Sequence, residues 1–218
     1  MRQIALPLSA ASESPPRIVV GNANAAVVDA LLEPGKWPFH TAILTGPARS
    51  GKSLLARWFR ESGAGDALDD AQAMPEDDLF HRWNRAQESG RPLLIVADRR
   101  FAPGRTEDSE NDDTATPRWR VALPDLSSRL GAALDLEIGE PDDAMLADLI
   151  EVHAERRSLP LDHSATQYLA GRCTRSHLGV ENLVAAIDRL SLERKAAPTM
   201  AIWRDALIES KAGGQAEA

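Results

Sequence analysis

One cysteine, Cys173, is all the thiol chemistry available to this chain of 218 residues. A single thiol excludes an internal disulfide and any cysteine metal cluster, and it reads as a structural thiol in a reducing compartment. No apolar run approaches the roughly 20 residues that a membrane-spanning helix needs. Positive charge is also short: 25 Lys and Arg against 33 Asp and Glu leave a net charge of −8. That balance argues against a strong, sequence-independent grip on nucleic-acid backbones. The five histidines do not gather at ligand spacing, and His153 and His163 fall in different helical segments, so no metal other than Mg²⁺ is expected. The amino-terminal residues carry one Arg, and Pro7 interrupts their apolar run, which is too little for a signal peptide. The expectation is a cytoplasmic protein with no membrane partner.

The strongest positive feature is the stretch TAILTGPARSGKSLL at residues 41–55. An apolar strand breaks into Gly46, Pro47, Ala48, Arg49, Ser50, Gly51, Lys52 and Ser53, and Leu54 then opens a helical pattern. This is the strand–loop–helix context in which GxxxxGK[ST] binds nucleotide phosphates. The glycines let backbone N–H groups turn inward, and the new helix N-terminus adds partial positive charge. Lys52 can reach the β- and γ-phosphates, and the Ser53 hydroxyl can ligate Mg²⁺. The expected cofactor is ADP or ATP with Mg²⁺. Upstream, Val20 and Asn22 are candidates to cover the base, with plain core packing the equal alternative.

Downstream of the loop, Asp69 and Asp70 follow a short apolar pair, where one carboxylate can hold Mg²⁺ (Asp69) and the other can orient or deprotonate the nucleophile (Asp70). An acidic loop is the competing reading. Residues 75–90 form a clear helix, with Pro75 at its start and Leu79, Phe80, Trp83 and Ala86 at helical spacing. Residues 92–97 form an apolar run fit for the centre of a parallel sheet. It delivers Asp98 to a strand's C-terminal end, where ligands of open α/β sheets lie, either to sense a γ-phosphate through water or merely to pair with Arg99 or Arg100. Residues 104–117 are polar and acidic and read as a disordered insertion. From residue 140 the period becomes helical only, and four amphipathic segments form a small bundle. The expected division is a tail over 1–16, an α/β nucleotide core over 17–139, a helical lid over 140–211 and a frayed end over 212–218.

An α/β phosphate-loop core followed by a helical lid resembles the AAA+ ATPases, in particular the DnaA-related branch that includes the shortened relative Hda. Asp69-Asp70-Ala71-Gln72 is similar to the family's Walker B motif, and Ala97-Asp98-Arg99 to its sensor 1. Leu123 through Leu130, LPDLSSRL, resembles the segment that carries the arginine finger, which implies that Arg129 acts in trans on a neighbour's ATP; a surface cation favourable to the dipole at a helix C-terminus is the alternative. The tail hexapeptide from Gln3 to Leu8 is similar to a peptide that docks on the replicative sliding clamp, which implies clamp contacts from Gln3, Leu6, Pro7 and Leu8; a disordered end is the alternative. The resemblance thus implies DnaA and the sliding clamp as partners, and it admits a homodimer. It stops short of a helix-turn-helix DNA reader, so origin binding of that kind is not implied. Three departures stand out. The interval between Ser53 and Asp69 is too short for the extra strand and helix usual between these motifs. Glu181 stands where the family places a nucleotide-facing arginine in its sensor 2 helix, with Arg175 a candidate substitute. The acidic insertion is not a family feature. The implied function is regulatory inactivation of DnaA; a self-sufficient ATPase or helicase loader, and a small-molecule kinase, are the alternatives.

Overall fold

The computed structural model describes residues 2–5, 17–102 and 118–214. The expected acidic insertion and the clamp-peptide residues Leu6, Pro7 and Leu8 lie outside the described residues. The chain separates into two compact units.

The sheet unit comprises Ala26–Gly46 and Gly51–Ile138. Its four strands are β3 (Thr41–Thr45), β4 (Asp66–Leu68), β5 (Leu93–Val96) and β6 (Leu134–Glu137). They run parallel in the order β4-β5-β3-β6. β3 and β5 are buried along their whole length, as their continuous apolar runs require of interior parallel strands. β4 is an edge strand of three residues. Helix α1 (Ala25–Leu32) precedes β3, α2 (Lys52–Glu61) leads from β3 to β4, α3 (Glu76–Ser89) from β4 to β5, and α4 (Pro124–Gly131) precedes β6. Between the loop and the acidic pair the chain therefore forms α2 and β4 and no further strand and helix, as the short interval predicts.

The step from β3 to β4 runs along the sheet in the opposite sense to those from β4 to β5 and from β5 to β6. Right-handed crossovers then place α2 on one face and α3 with α4 on the other. Packing agrees, since Leu79, Trp83, Leu126 and Leu130 share one apolar cluster with Ile43 and Ile95. On α2, the fully buried Phe59 stacks on Trp37 with 5.2 Å between ring centroids.

The helical unit comprises the described part of Met1–Ala25, the short segment Pro47–Ser50, and Gly139 onward. Four helices make it: α5 (Asp143–Arg156), α6 (His163–Ala170), α7 (His177–Arg194) and α8 (Met200–Gly214). Three of them begin at a side chain that satisfies an orphan backbone donor. Asp142 accepts from the Met145 N–H at 2.8 Å, Asp162 from Ala165 at 2.7 Å, and the Ser176 hydroxyl from Gly179 at 2.9 Å. The bond from the Ala165 N–H, with a second from the Ser164 hydroxyl at 2.7 Å, holds the Asp162 carboxyl below its ordinary range. The core joins Leu146, Ile150, Leu169, Val180, Leu183, Ile187 and Ile202, and Cys173 lies buried among them. Burial pushes the Cys173 thiol up, in keeping with a packing role.

This division differs from the sequence expectation at three places. Arg2–Ala5, expected within an irregular tail, form strand β1, antiparallel to β2 (Arg17–Val20). The β2 segment and its turn belong to the helical unit rather than to the sheet unit. The reason is local: the Gly139 N–H donates to Ala23 O at 2.9 Å, and the Asn22 amide bonds both Glu140 O and the Asp142 N–H. Finally, α8 continues to Gly214, past the expected start of fraying.

Candidate functional site

The loop after β3 runs through a tight turn into α2. The Ser50 N–H closes a turn on Pro47 O at 3.3 Å, and the Leu55 N–H reaches Gly51 O at 2.9 Å to begin α2. Gly51 sits at φ +90°, a conformation that costs glycine little. Arg49 sits at φ +63°, in the left-handed region without glycine's freedom. Ser50 is buried, and its hydroxyl has no hydrogen-bond partner within the protein. A buried hydroxyl in want of an acceptor fits a phosphate oxygen, because a donor left unsatisfied there costs free energy.

Lys52 is 7% exposed. Its ammonium donates to Gly46 O at 2.9 Å and lies 3.1 Å from Asp98 Oδ1. Asp98 stands just past the C-terminal end of β5, held there by Gln72. The Gln72 amide donates to Asp98 Oδ2 at 3.1 Å, and its carbonyl accepts from the Asp98 N–H at 2.6 Å. Sequence reasoning names Lys52 and Asp98 but gives Gln72 no role. Its signal was available in the DDAQ string, two residues beyond Asp70.

Asp69 and Asp70 follow β4, at the same end of the sheet as Asp98, and both are exposed. Asp69 Oδ1 accepts from the Asp70 N–H at 3.1 Å, and Asp70 takes φ +52° to start the turn at Ala71–Ala73. The carboxylate in contact with Lys52 is therefore Asp98, and the Asp69–Asp70 pair stands free at the rim. Ser53 is exposed on the first turn of α2, and Leu54 is half-buried. These oxygen donors suit Mg²⁺. The described residues hold no cluster of three acidic, His or Cys groups fit for a metal, and Mg²⁺ commonly relies on one or two carboxylates together with phosphate and water.

In the helical unit, Val20 is buried in β2. Both ends of the Asn22 amide are spent on the start of α5, at 3.0 Å to Glu140 O and 2.9 Å from the Asp142 nitrogen. Arg49 meets Glu181 of α7, with Nε 3.1 Å from Oε2. Arg175, the candidate substitute for a missing arginine, pairs instead with Asp143. Burial pushes the His153 imidazole down, the neighbouring Arg156 and Arg157 push the same way, and Glu181 opposes them. A depressed histidine favours the neutral ring in the fold, so stability is complete above the unfolded value of about 6.5 and falls as pH drops below it. Thermal melting of the full chain between pH 7.5 and 5.5 is expected to show this decline, with a shallower slope in His153→Gln.

Arg129, on α4, is half-buried. Its guanidinium carbon lies 4.5 Å from the Phe80 ring centroid and 4.5 Å from that of Trp83, and it donates to Asn84 Oδ1. All three partners lie on α3. The helical spacing of Phe80 and Trp83 reads in the sequence as a sheet-facing stripe; part of that stripe holds an arginine.

No protein-family model matches the chain, and no curated relative matches it. Solved structures do. Domain III of the Thermotoga maritima replication initiation protein DnaA is 14% identical with a TM-score of 0.62, over 88% of this chain and 94% of that one. The replication initiator DnaA bound to AMPPCP and single-stranded DNA gives 16% identity and a TM-score of 0.54, covering 82% and 66%. RuvB, the Holliday junction branch migration motor of Thermotoga maritima, gives 16% and 0.52, covering 85% and 66%. The chain thus spans about two thirds of these last two. The fold is the phosphate-loop AAA+ fold: a parallel-sheet core with surrounding helices, of the kind found in DnaA. No helix among the described residues is long and apolar enough to cross a membrane.

Proposed function

We propose that this AAA+ chain is a nucleotide-bound replication regulator that docks on the sliding clamp and stimulates ATP hydrolysis by DnaA. The observation that carries the nucleotide reading is Lys52, a cation 7% exposed and held at the head of α2 by Gly46 and Asp98. The loop's backbone N–H groups and the Ser50 hydroxyl bind the phosphates of ADP or ATP, and Lys52 turns from Asp98 to the phosphate chain. Ser53 and Asp69 would hold Mg²⁺, which supplies charge neutralisation between adjacent phosphates. Asp98, freed from Lys52 and still braced by Gln72, stands where a terminal phosphate or its attacking water is sensed, with Asp70 as the candidate base. The DnaA-like fold supports a role in replication. Gln3 through Leu8 would supply the clamp-docking peptide, with Gln3 in β1.

Arg129 supplies the catalytic contribution in trans. A guanidinium clasped between two rings and bonded to Asn84 loses little rotamer freedom when it meets a neighbour's phosphate, because its direction is already set. Arginine fingers in GTPases contribute about 10³–10⁵ in rate. With DnaA–ATP and clamp loaded on DNA, Arg129→Ala is expected to lower the stimulated hydrolysis at least ~100-fold while nucleotide binding by the chain itself persists. Full stimulation by the variant would overturn the finger assignment. A self-sufficient ATPase is the second reading, favoured by the presence of Lys52, Ser53, Asp69, Asp70 and Asp98 in one chain. Steady turnover by the purified protein alone would select it.

A further inference from the structure

We propose that Glu76 is a positioning residue for Arg129, acting by fixing the start of the helix that carries it. The inference rests on the arginine-finger reading above and adds to it a residue that touches no nucleotide.

Helix α4 has eight residues and no side-chain cap of its own: Leu123 stands at the N-cap and Pro124 opens the helix. The donors at such a helix start have no partner within the helix. Glu76, on the first turn of α3, supplies acceptors from a distant part of the chain. Its Oε1 accepts the Ala122 N–H at 2.8 Å, and its Oε2 accepts the Leu123 N–H at 2.8 Å. Both carboxylate oxygens are thus spent on consecutive backbone groups, in bonds roughly twice as strong as neutral ones. Trp119, whose carbonyl the Ala102 N–H binds at 3.0 Å, is the last residue before α4 to share a β-bridge. Residues 120–123 then lie in no regular element, and Glu76 holds two of them.

Glu76, Phe80, Trp83 and Asn84 recur at i, i+4, i+7 and i+8, which places them on one face of α3. Phe80, Trp83 and Asn84 hold the Arg129 guanidinium in the last turn of α4. Glu76 holds the other end of the same helix. One face of α3 therefore grips α4 at both ends, and the buried Leu126 and Leu130 seat it between them. All of these residues belong to the sheet unit. Leu126 and Leu130 resist lifting of α4 away from the sheet, but apolar contacts are not directional and resist sliding along the helix axis less well. The two bonds to Glu76 are directional and oppose that slide. A finger is only as well placed as its helix, since a misplacement of about 1 Å can cost on the order of 100-fold in rate.

Hydrolysis of ATP by DnaA, with clamp loaded on DNA, is measured against the concentration of this chain. Glu76→Ala is expected to lower the maximal stimulated rate about 10-fold. The half-saturating concentration is expected to stay unchanged, because the carboxylate is engaged within its own chain. Glu76→Gln keeps one acceptor oxygen and is expected to lose less; it also keeps the test open should the alanine variant not fold. In an Arg129→Ala background, Glu76→Ala is expected to change nothing further, since no guanidinium is left to misplace. Hydrogen exchange of the backbone over residues 122–126 is expected to quicken in both Glu76 variants, while circular dichroism and nucleotide affinity stay as in the wild-type chain. A maximal rate at the wild-type level in the folded variants, unchanged exchange, or an equal loss with Arg129 already removed overturns the inference and leaves the finger reading standing. Full stimulation by Arg129→Ala alone would remove the finger, and this inference with it.

Discussion

Lys52→Ala is expected to lower nucleotide affinity about 100-fold or more, from loss of a charged hydrogen-bonding partner worth roughly 2–5 kcal/mol in a desolvated site. The side chain is 7% exposed, so its ammonium has already exchanged water for Gly46 O and Asp98. A phosphate arriving on the loop meets a cation in place, and little new ordering is needed. Alanine removes the cation and leaves Asp98 held at the site by Gln72, so attraction is replaced by repulsion. Titration with a fluorescent adenine nucleotide measures this directly. An affinity within a few-fold of wild type would mean that the loop is a structural turn. Thermal melting of the variant without nucleotide separates lost binding from lost folding, since Asp98 is exposed and tolerates the loss of its partner in water.

Gly65→Ala is expected to destabilise the chain by about 2–4 kcal/mol, through overpacking against backbone that cannot yield. A methyl group at this position would lie 2.4 Å from Pro92 O and 2.5 Å from the Phe59 ring. Pro92 O also accepts the Asp66 N–H at 2.8 Å, the bond at the head of the β4–β5 ladder. Phe59 cannot move aside freely, because it is fully buried and stacked on Trp37. Relief must come from β4 drawing away from β5. Gly35→Ala, where nothing lies within 4 Å, serves as the control and is expected within about 0.5 kcal/mol of wild type. The midpoint of urea unfolding reads both. Equal midpoints for the two variants would show that β4 is not held at this distance.

The sequence makes legible those elements whose burial is uniform or strictly periodic. β3 and β5 are continuous apolar runs because both of their faces are covered, and α5 to α8 show a helical stripe because one face is. β4 offers only Ala67 and Leu68, both half-buried, and an edge strand needs no more. The pairing of β1 with β2 is illegible because it rests on backbone bonds, which leave no side-chain period. The loop and Lys52 are readable from the spacing of GxxxxGK[ST], and Asp98 from its place at the end of an apolar run. Gln72 and the ring clasp around Arg129 are not, because each depends on contacts between elements 26 to 49 residues apart. Glu181 is visible as a departure from a family pattern; its partner, Arg49, appears only when the chain is folded.

Among the described residues, the short interval between the loop and the acidic pair leaves β4 as the outermost strand at one edge of the sheet, with β6 at the other. An exposed strand edge is a template on which another chain can pair, and proteins restrain it with brevity and charge. β4 has three residues and begins with Asp66, whose carboxylate is held by Arg91 at 2.8 Å. Too few backbone groups are offered there to hold a foreign strand, and a fixed charge pair marks the end where pairing would start. A sheet can thus forgo an outer strand and stay resistant to edge-to-edge aggregation, provided that the strand left outermost is this small.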